Sequence, residues 1–194
     1  GFGLAMSADG LKWSRHGDRP LLRGVGGNMD PCLRKLDGQY TLWYRVKQGK
    51  SYRIFRATSP DGITWAKHQD PVLPLGSKGD FDETSQAGPV VLKVDDVYYL
   101  FYLGGSSKGS KAGLATSRDG MHWMKSTANP ILDAGGKDEW DGGSILSLDA
   151  LWMNDRFQIW YAAHSLSDAG EPESKQTIRI GYAESDVASA EQKN

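Results

Sequence analysis

Along this chain short apolar runs alternate with tight polar turns. In the middle, "VVLKV" (90–94) and "YYLFY" (98–102) flank a turn at Asp95-Asp96. Both runs are rich in β-branched and aromatic residues and predict two antiparallel strands. "AGLATS" (112–117) predicts a third strand, "RDG" a turn and "MHWMKS" (121–126) a fourth. The same order recurs upstream in "PCLRKLDGQYTLWYRV" and "YRIFRATSPDGITW". It recurs downstream in "SILSLDALWMNDRFQIWYAA" and "TIRIGYAESD", before a polar tail.

The units keep step through a second pattern. Ser-x-Asp-Gly-x-x-Trp is written three times, as "SADGLKW", "SPDGITW" and "SRDGMHW", beginning at Ser7, Ser59 and Ser117. Those serines are 52 (59 − 7) and 58 (117 − 59) residues apart. Asp-Gly is a strong hairpin signal and predicts a type I′ turn in the outer hairpin. Trp13, Trp65 and Trp123 are expected in the core because they recur with the repeat. Trp43 and Trp160 share a second-strand slot, which also argues for packing. Each fourth strand leads into Pro20, Pro71 or Pro130, and an aspartate follows each proline at Asp30, Asp82 or Asp141.

Four short antiparallel strands per unit, repeated at about 50 residues, predict an all-β fold, a β-propeller. A β-sandwich would not explain five features repeating in step. First strands are expected near residues 32–37, 89–94 and 145–152. The units divide as a half blade at 1–22, blades at 26–73 and 79–132, and a blade lacking its last strand at 138–187. That makes about three and a half blades, whereas closed propellers have roughly four to eight. The chain is therefore expected to be a fragment, to complete its ring as a homo-oligomer, or to close unusually small.

Composition narrows the chemistry. Among 194 residues, 23 basic and 24 acidic side chains are interspersed for a net charge of −1, so no basic patch points to nucleic acid. No apolar run approaches the ~18 residues of a membrane span. The single cysteine, Cys32, rules out an internal disulfide and any Cys-rich zinc site, and reads as a small buried hydrophobe. No metal or cofactor is expected. The chain opens on "GFGLAMS" without Met, so the lack of a signal peptide leaves the compartment open.

The run "GLATSRDGMHWMKSTANPILDAGGKDEWDGGSIL" resembles the blade-to-blade passage of the five-bladed propeller glycosidases. These include the family 43 arabinanases and xylosidases, the invertase and levansucrase relatives, and the mannoside phosphorylases. The resemblance covers essentially the whole chain and is specific for fold rather than reaction. It implies a site in the central funnel, where two or three carboxylates act as base or nucleophile and as acid on a glycoside.

Asp30 in "NMDPC" matches the Asp-Pro of several such enzymes. Where others carry an aspartate in an Ala-Pro-Asp form, "AGPVV" places Val90. Glu83, in the loop "GDFDETSQAG", is the next candidate, whereas Asp82 aligns with Asp141 and reads as structural. In the third blade no Glu-Gly-Pro occurs, and Asp141 and Asp149 are the candidates by position. Arg45 and His164 are candidates for binding substrate, and Trp140 and Trp152 for stacking on a sugar face. Three functions compete: a hydrolase or phosphorylase of arabino-, xylo-, fructo- or mannosides; a carbohydrate-binding propeller that has lost its acids; and a structural or partner-binding propeller.

Overall fold

The computed structural model of the chain describes residues 1–23, 28–168 and 176–186. Its elements are almost all strands. β1 (Ala5–Met6) and β2 (Ser14–Arg15) form a two-stranded sheet. β3 (Asn28–Leu36), β4 (Gln39–Gln48), β5 (Ser51–Ser59) and β6 (Ala66–Lys67) form a four-stranded antiparallel sheet in sequence order. β7 (Ser85–Val94), β8 (Val97–Ser106), β9 (Gly109–Ser117) and β10 (Met124–Lys125) repeat it. β11 (Ser144–Met153), β12 (Arg156–His164) and β13 (Arg179–Asp186) make a three-stranded sheet. One 3-10 turn, Leu166–Asp168, is the single helical element among the described residues. The first strands begin earlier than the sequence predicts in the first two blades, because each carries a bulged entry segment ahead of its regular run.

Alternation along the strands gives each sheet two apolar faces. One face of β4 and β5 packs with the N-terminal sheet through Leu42, Tyr44, Phe55 and Ala57 against Phe2 and Leu22. The other meets the second blade through Cys32, Trp43 and Ile54 against Val91, Leu100 and Tyr102. The second blade's far face meets the third through Phe101 and Leu103 against Leu148, Phe157 and Ile159. Strands β3, β7 and β11 lie side by side along the inner edge of this stack. Blade stacked on blade in chain order is the propeller arrangement.

The repeated Ser-Asp-Gly motif turns differently from the expectation. A type I′ turn needs positive φ at both central residues. Here only the glycines have it, Gly10 at 75°, Gly62 at 77° and Gly120 at 68°. The aspartate instead caps the turn. Asp61 Oδ1 accepts the N–H groups of Ile63 and Thr64, at 2.8 and 2.7 Å. Ser59 Oγ accepts those of Asp61 and Gly62 while donating to Asp61 Oδ1. Asp9 and Asp119 make the same set. Backbone donors from Thr64 and Ile63 hold the Asp61 carboxyl far below the usual range. True I′ geometry appears at the inner hairpins, Asp37-Gly38 and Asn154-Asp155, where both residues have positive φ.

The tryptophans divide. Trp123 packs edge-to-face on Trp43 of the preceding blade, with centroids 6.4 Å apart, and Trp43 is 1% exposed. Trp65 packs against the first inter-blade core. Trp13, expected in the core, is 65% exposed, because no further sheet lies against it among the described residues. Trp160 is 38% exposed for the same reason and leans on Tyr182 at 5.2 Å.

Candidate functional site

The inner ends of the first strands surround a cavity of about 550 Å³. Its wall takes Asp30 to Arg34 from β3, Arg45 from β4, Ala87 to Val90 from β7, Leu103 from β8, and Leu146 to Asp149 from β11. Three blades thus contribute backbone or side chains to one space.

Strand register explains how. Cys32 pairs with Trp43, Val90 with Phe101 and Asp149 with Trp160, so Cys32, Val90 and Asp149 occupy one slot in successive blades. In the first two blades a bulge comes just before that slot, and in the third it comes earlier, between Ile145 and Ser147. A bulge leaves residues unpaired in the ladder and re-aims them. Asp30-Pro31 and Gly88-Pro89 fill it in the first two blades, and Asp30 and Gly88 share φ 53°. Left-handed backbone is uncommon outside glycine, and Asp is among the residues that tolerate it. Asp30 therefore corresponds to Gly88, and its place beside Asp82 and Asp141 in the proline spacing is corrected.

Asp30 is held on both oxygens. Arg45 Nε lies 2.8 Å from Oδ2 in an ion pair, and Nη2 donates to Oδ1 at 3.3 Å. The Gly88 N–H donates to Oδ2 at 3.2 Å from the neighbouring blade. The Arg45 guanidinium itself sits over the Tyr52 ring, 4.7 Å from its centroid. Asp149 is exposed and accepts the Ala150 N–H at 2.9 Å. Among the described residues it makes no ion pair.

Below them Cys32 is buried, and its thiol accepts the Val91 N–H at 3.2 Å. Burial pushes the thiol pKa up, Arg34 opposes this and Asp149 adds to it. Arg34 donates from Nε to Val91 O at 2.8 Å, tying β3 to β7 across the cavity floor.

The remaining sequence candidates lie elsewhere. Glu83 accepts the Gly79 N–H at 2.6 Å in its own loop and does not reach the cavity. Asp141 is buried and accepts the Tyr161 hydroxyl at 2.7 Å. Burial, then the Asp141 hydrogen bond, push Tyr161 up to about 12. Asp82 is its repeat partner: it accepts the Tyr102 hydroxyl at 3.2 Å and pairs with Lys125 at 2.6 Å. Both acids stand 20 residues before their tyrosine (102 − 82 and 161 − 141). Trp140 stacks on Tyr161 at 5.7 Å and Trp152 packs on Phe157 at 4.7 Å, so both are committed within their blade rather than facing the cavity. His164 is buried, with Nδ1 2.8 Å from Ser165 O. Gly88 and Ser147 escaped the sequence reading, whereas Arg34 belongs to the basic cluster of the first full blade that the sequence offers for contacting a sugar hydroxyl, carboxylate or phosphate. The Asp-Pro and Gly-Pro pairs at 30–31 and 88–89 were the signal for Gly88.

The fold is similar to that of solved propeller glycosidases. A β-1,2-mannobiose phosphorylase from Listeria innocua, solved as a β-1,2-mannobiose complex, superposes with a TM-score of 0.71 at 18% identity, over 97% of this chain and 51% of that one. A family 117 glycoside hydrolase from the marine bacterium Zobellia galactanivorans gives 0.68 at 18% identity, over 82% and 52%. In sequence, an A type blood N-acetyl-α-D-galactosamine deacetylase of Flavonifractor plautii is 25% identical over 166 residues, 71% of this chain and 21% of its own. A structure of an F. plautii N-acetylgalactosamine deacetylase, in complex with blood group B trisaccharide, has a TM-score of 0.58 at 22% identity, over 82% and 50%. No protein-family model matches the sequence. The chain spans about a fifth of the curated relatives it matches, and about half of these solved structures.

Proposed function

We propose that the cavity between the first strands binds a glycoside, and that Asp30 and Asp149 are the paired carboxylates of a carbohydrate-active enzyme. The observation that carries this is their convergence: two acids from blades that do not adjoin line one cavity of about 550 Å³, a volume suited to a small ligand. Asp30, held in place by a guanidinium, is assigned the role of base, nucleophile or stabiliser of an oxocarbenium-like transition state. Asp149, open to solvent in the wall contributed by β11, is assigned the second carboxylate role. Arabino-, xylo-, fructo- and mannosides are the substrate classes to screen, with phosphate as an alternative acceptor to water.

A second reading, a sugar-binding propeller without turnover, is favoured by Val90. It fills with an apolar side chain the slot that carries Asp149 in the next blade. One experiment separates the two. The chain is offered a panel of disaccharides and 4-nitrophenyl glycosides of these sugars, with and without inorganic phosphate, and binding is followed by calorimetry in parallel. Turnover that Asp30→Asn and Asp149→Asn each abolish supports the enzyme. Binding without turnover supports the second reading, and neither binding nor turnover overturns both.

A further inference from the structure

Arg45 lines the cavity, yet its guanidinium is already committed on two sides. Its edge faces Asp30, with Nη2 donating to Oδ1 at 3.3 Å and Nε at ion-pair distance from Oδ2 without a hydrogen bond, and its face covers Tyr52. The third hold on Asp30 comes from across the blade seam, where the bulge in β7 frees the Gly88 N–H from the ladder. From this geometry we infer that Arg45 is a positioning residue for Asp30 rather than a sugar contact, and that the Gly88 N–H completes the clamp. This rests on the proposed role of Asp30 at the site.

Three features support it. Asp30, at φ 53°, leaves β3 from a bulge rather than from the regular pleat, so the strand ladder alone does not fix where the carboxylate points. A guanidinium is a planar fork that sets both the position and the plane of a carboxylate, which a single ammonium cannot do. Gly88 carries no side chain and has the same φ, so the backbone of the second blade can approach Asp30 while leaving the cavity open. The site is then assembled by two blades at once, and its geometry depends on the seam held by Arg34 to Val91 O and Cys32 to Val91 N–H.

The test reads the clamp directly and turnover separately. The amide resonance of Gly88 is followed by ¹⁵N–¹H spectroscopy in the wild type, Asp30→Asn, Arg45→Met and Arg45→Lys. A hydrogen bond to an ionised oxygen shifts an amide proton downfield. Asp30→Asn should therefore move the Gly88 proton upfield by several tenths of a part per million. Arg45→Met should displace it too, although Arg45 is in another blade, and Arg45→Lys should displace it less. Where turnover is found, Arg45→Met should lower kcat at least tenfold with KM changed less than threefold, and Arg45→Lys should recover part of the loss. A Gly88 resonance unmoved in both Asp30→Asn and Arg45→Met overturns the clamp. So does a rise in KM at unchanged kcat, which would make Arg45 a sugar contact. A clamp seen in the spectra with full turnover in Asp30→Asn would instead remove Asp30 from the chemistry and leave the clamp standing.

Discussion

The outer turns and the inner strand entries of this protein are built from the same repeat and behave in opposite ways. At the turns, Asp9, Asp61 and Asp119 each accept two backbone N–H groups in the same pattern, three times over. At the entries, equivalent positions hold Asp30 and Gly88 in one slot, and Cys32, Val90 and Asp149 in the next. Where every blade needs the same thing, a closed turn, the residues repeat. Where the blades meet at the cavity they diverge, because one space needs different groups on different sides. The proposed site falls among the positions where the blades diverge, and the scaffold among those where they agree.

The sharpest way to break that contrast is to remove a charge from each kind of position. Asp30→Asn should lower turnover by about a thousandfold, in the range lost when a reacting acid or base is removed, while its melting curve stays close to the wild type. Activity retained in a folded Asp30→Asn protein would place the chemistry elsewhere.

A repeat-type acid should do the reverse. Asp82 is 1% exposed and its carboxylate depends on Lys125, Tyr102 and Gln86. Lys125→Met should cost about 3 kcal/mol by stranding a buried charge, with sugar binding at the cavity unchanged. Urea denaturation measures the first and calorimetry the second; a loss of binding without a loss of stability would move Asp82 from scaffold to site.

Much of the scaffold was legible in the sequence because strand alternation and turn residues act locally. Four strands per unit, the order of units and the inner hairpins all follow from "VVLKV", "YYLFY" and their counterparts. Less of the site was legible. The bulges add residues that no alternation pattern marks, so Asp30 was matched to Asp82 by its distance from a proline rather than to Gly88 by register. Glu83 was the next candidate by its loop, but its carboxylate closes back on the Gly79 N–H. Trp140 and Trp152 present large faces in sequence, and only packing shows that Tyr161 and Phe157 already cover them. Trp13 repeats faithfully and is exposed, because a core position needs a neighbouring sheet as well as a pattern.

Smaller effects sharpen the turn side of the comparison. Asp119→Ala should destabilise by about 1 kcal/mol, a low figure for bonds to a charged group because solvent screens them. A melting-temperature loss of about 2–4 °C is the expected reading; no change would mean that glycine alone sets the turn. The smallest effect is in acid. The Asp61 carboxyl is depressed in the folded state by the Thr64 and Ile63 N–H groups. Its contribution is therefore complete above the unfolded pKa of about 4 and is lost as pH falls further towards the folded value. The melting-temperature gap between wild type and Asp61→Asn should stay constant from pH 7 to about 5 and narrow below about 4; a gap that widened in acid would reverse the sign.

The most direct measurement is a crystal structure of Asp30→Asn grown with β-1,2-mannobiose, sucrose, xylobiose or arabinobiose, the substitution serving to slow turnover. A sugar ring lodged between residue 30 and Asp149, against Ala87 to Val90, is the predicted result. A sugar bound instead on the exposed Trp13 or Trp160 faces, with the cavity empty, would contradict it.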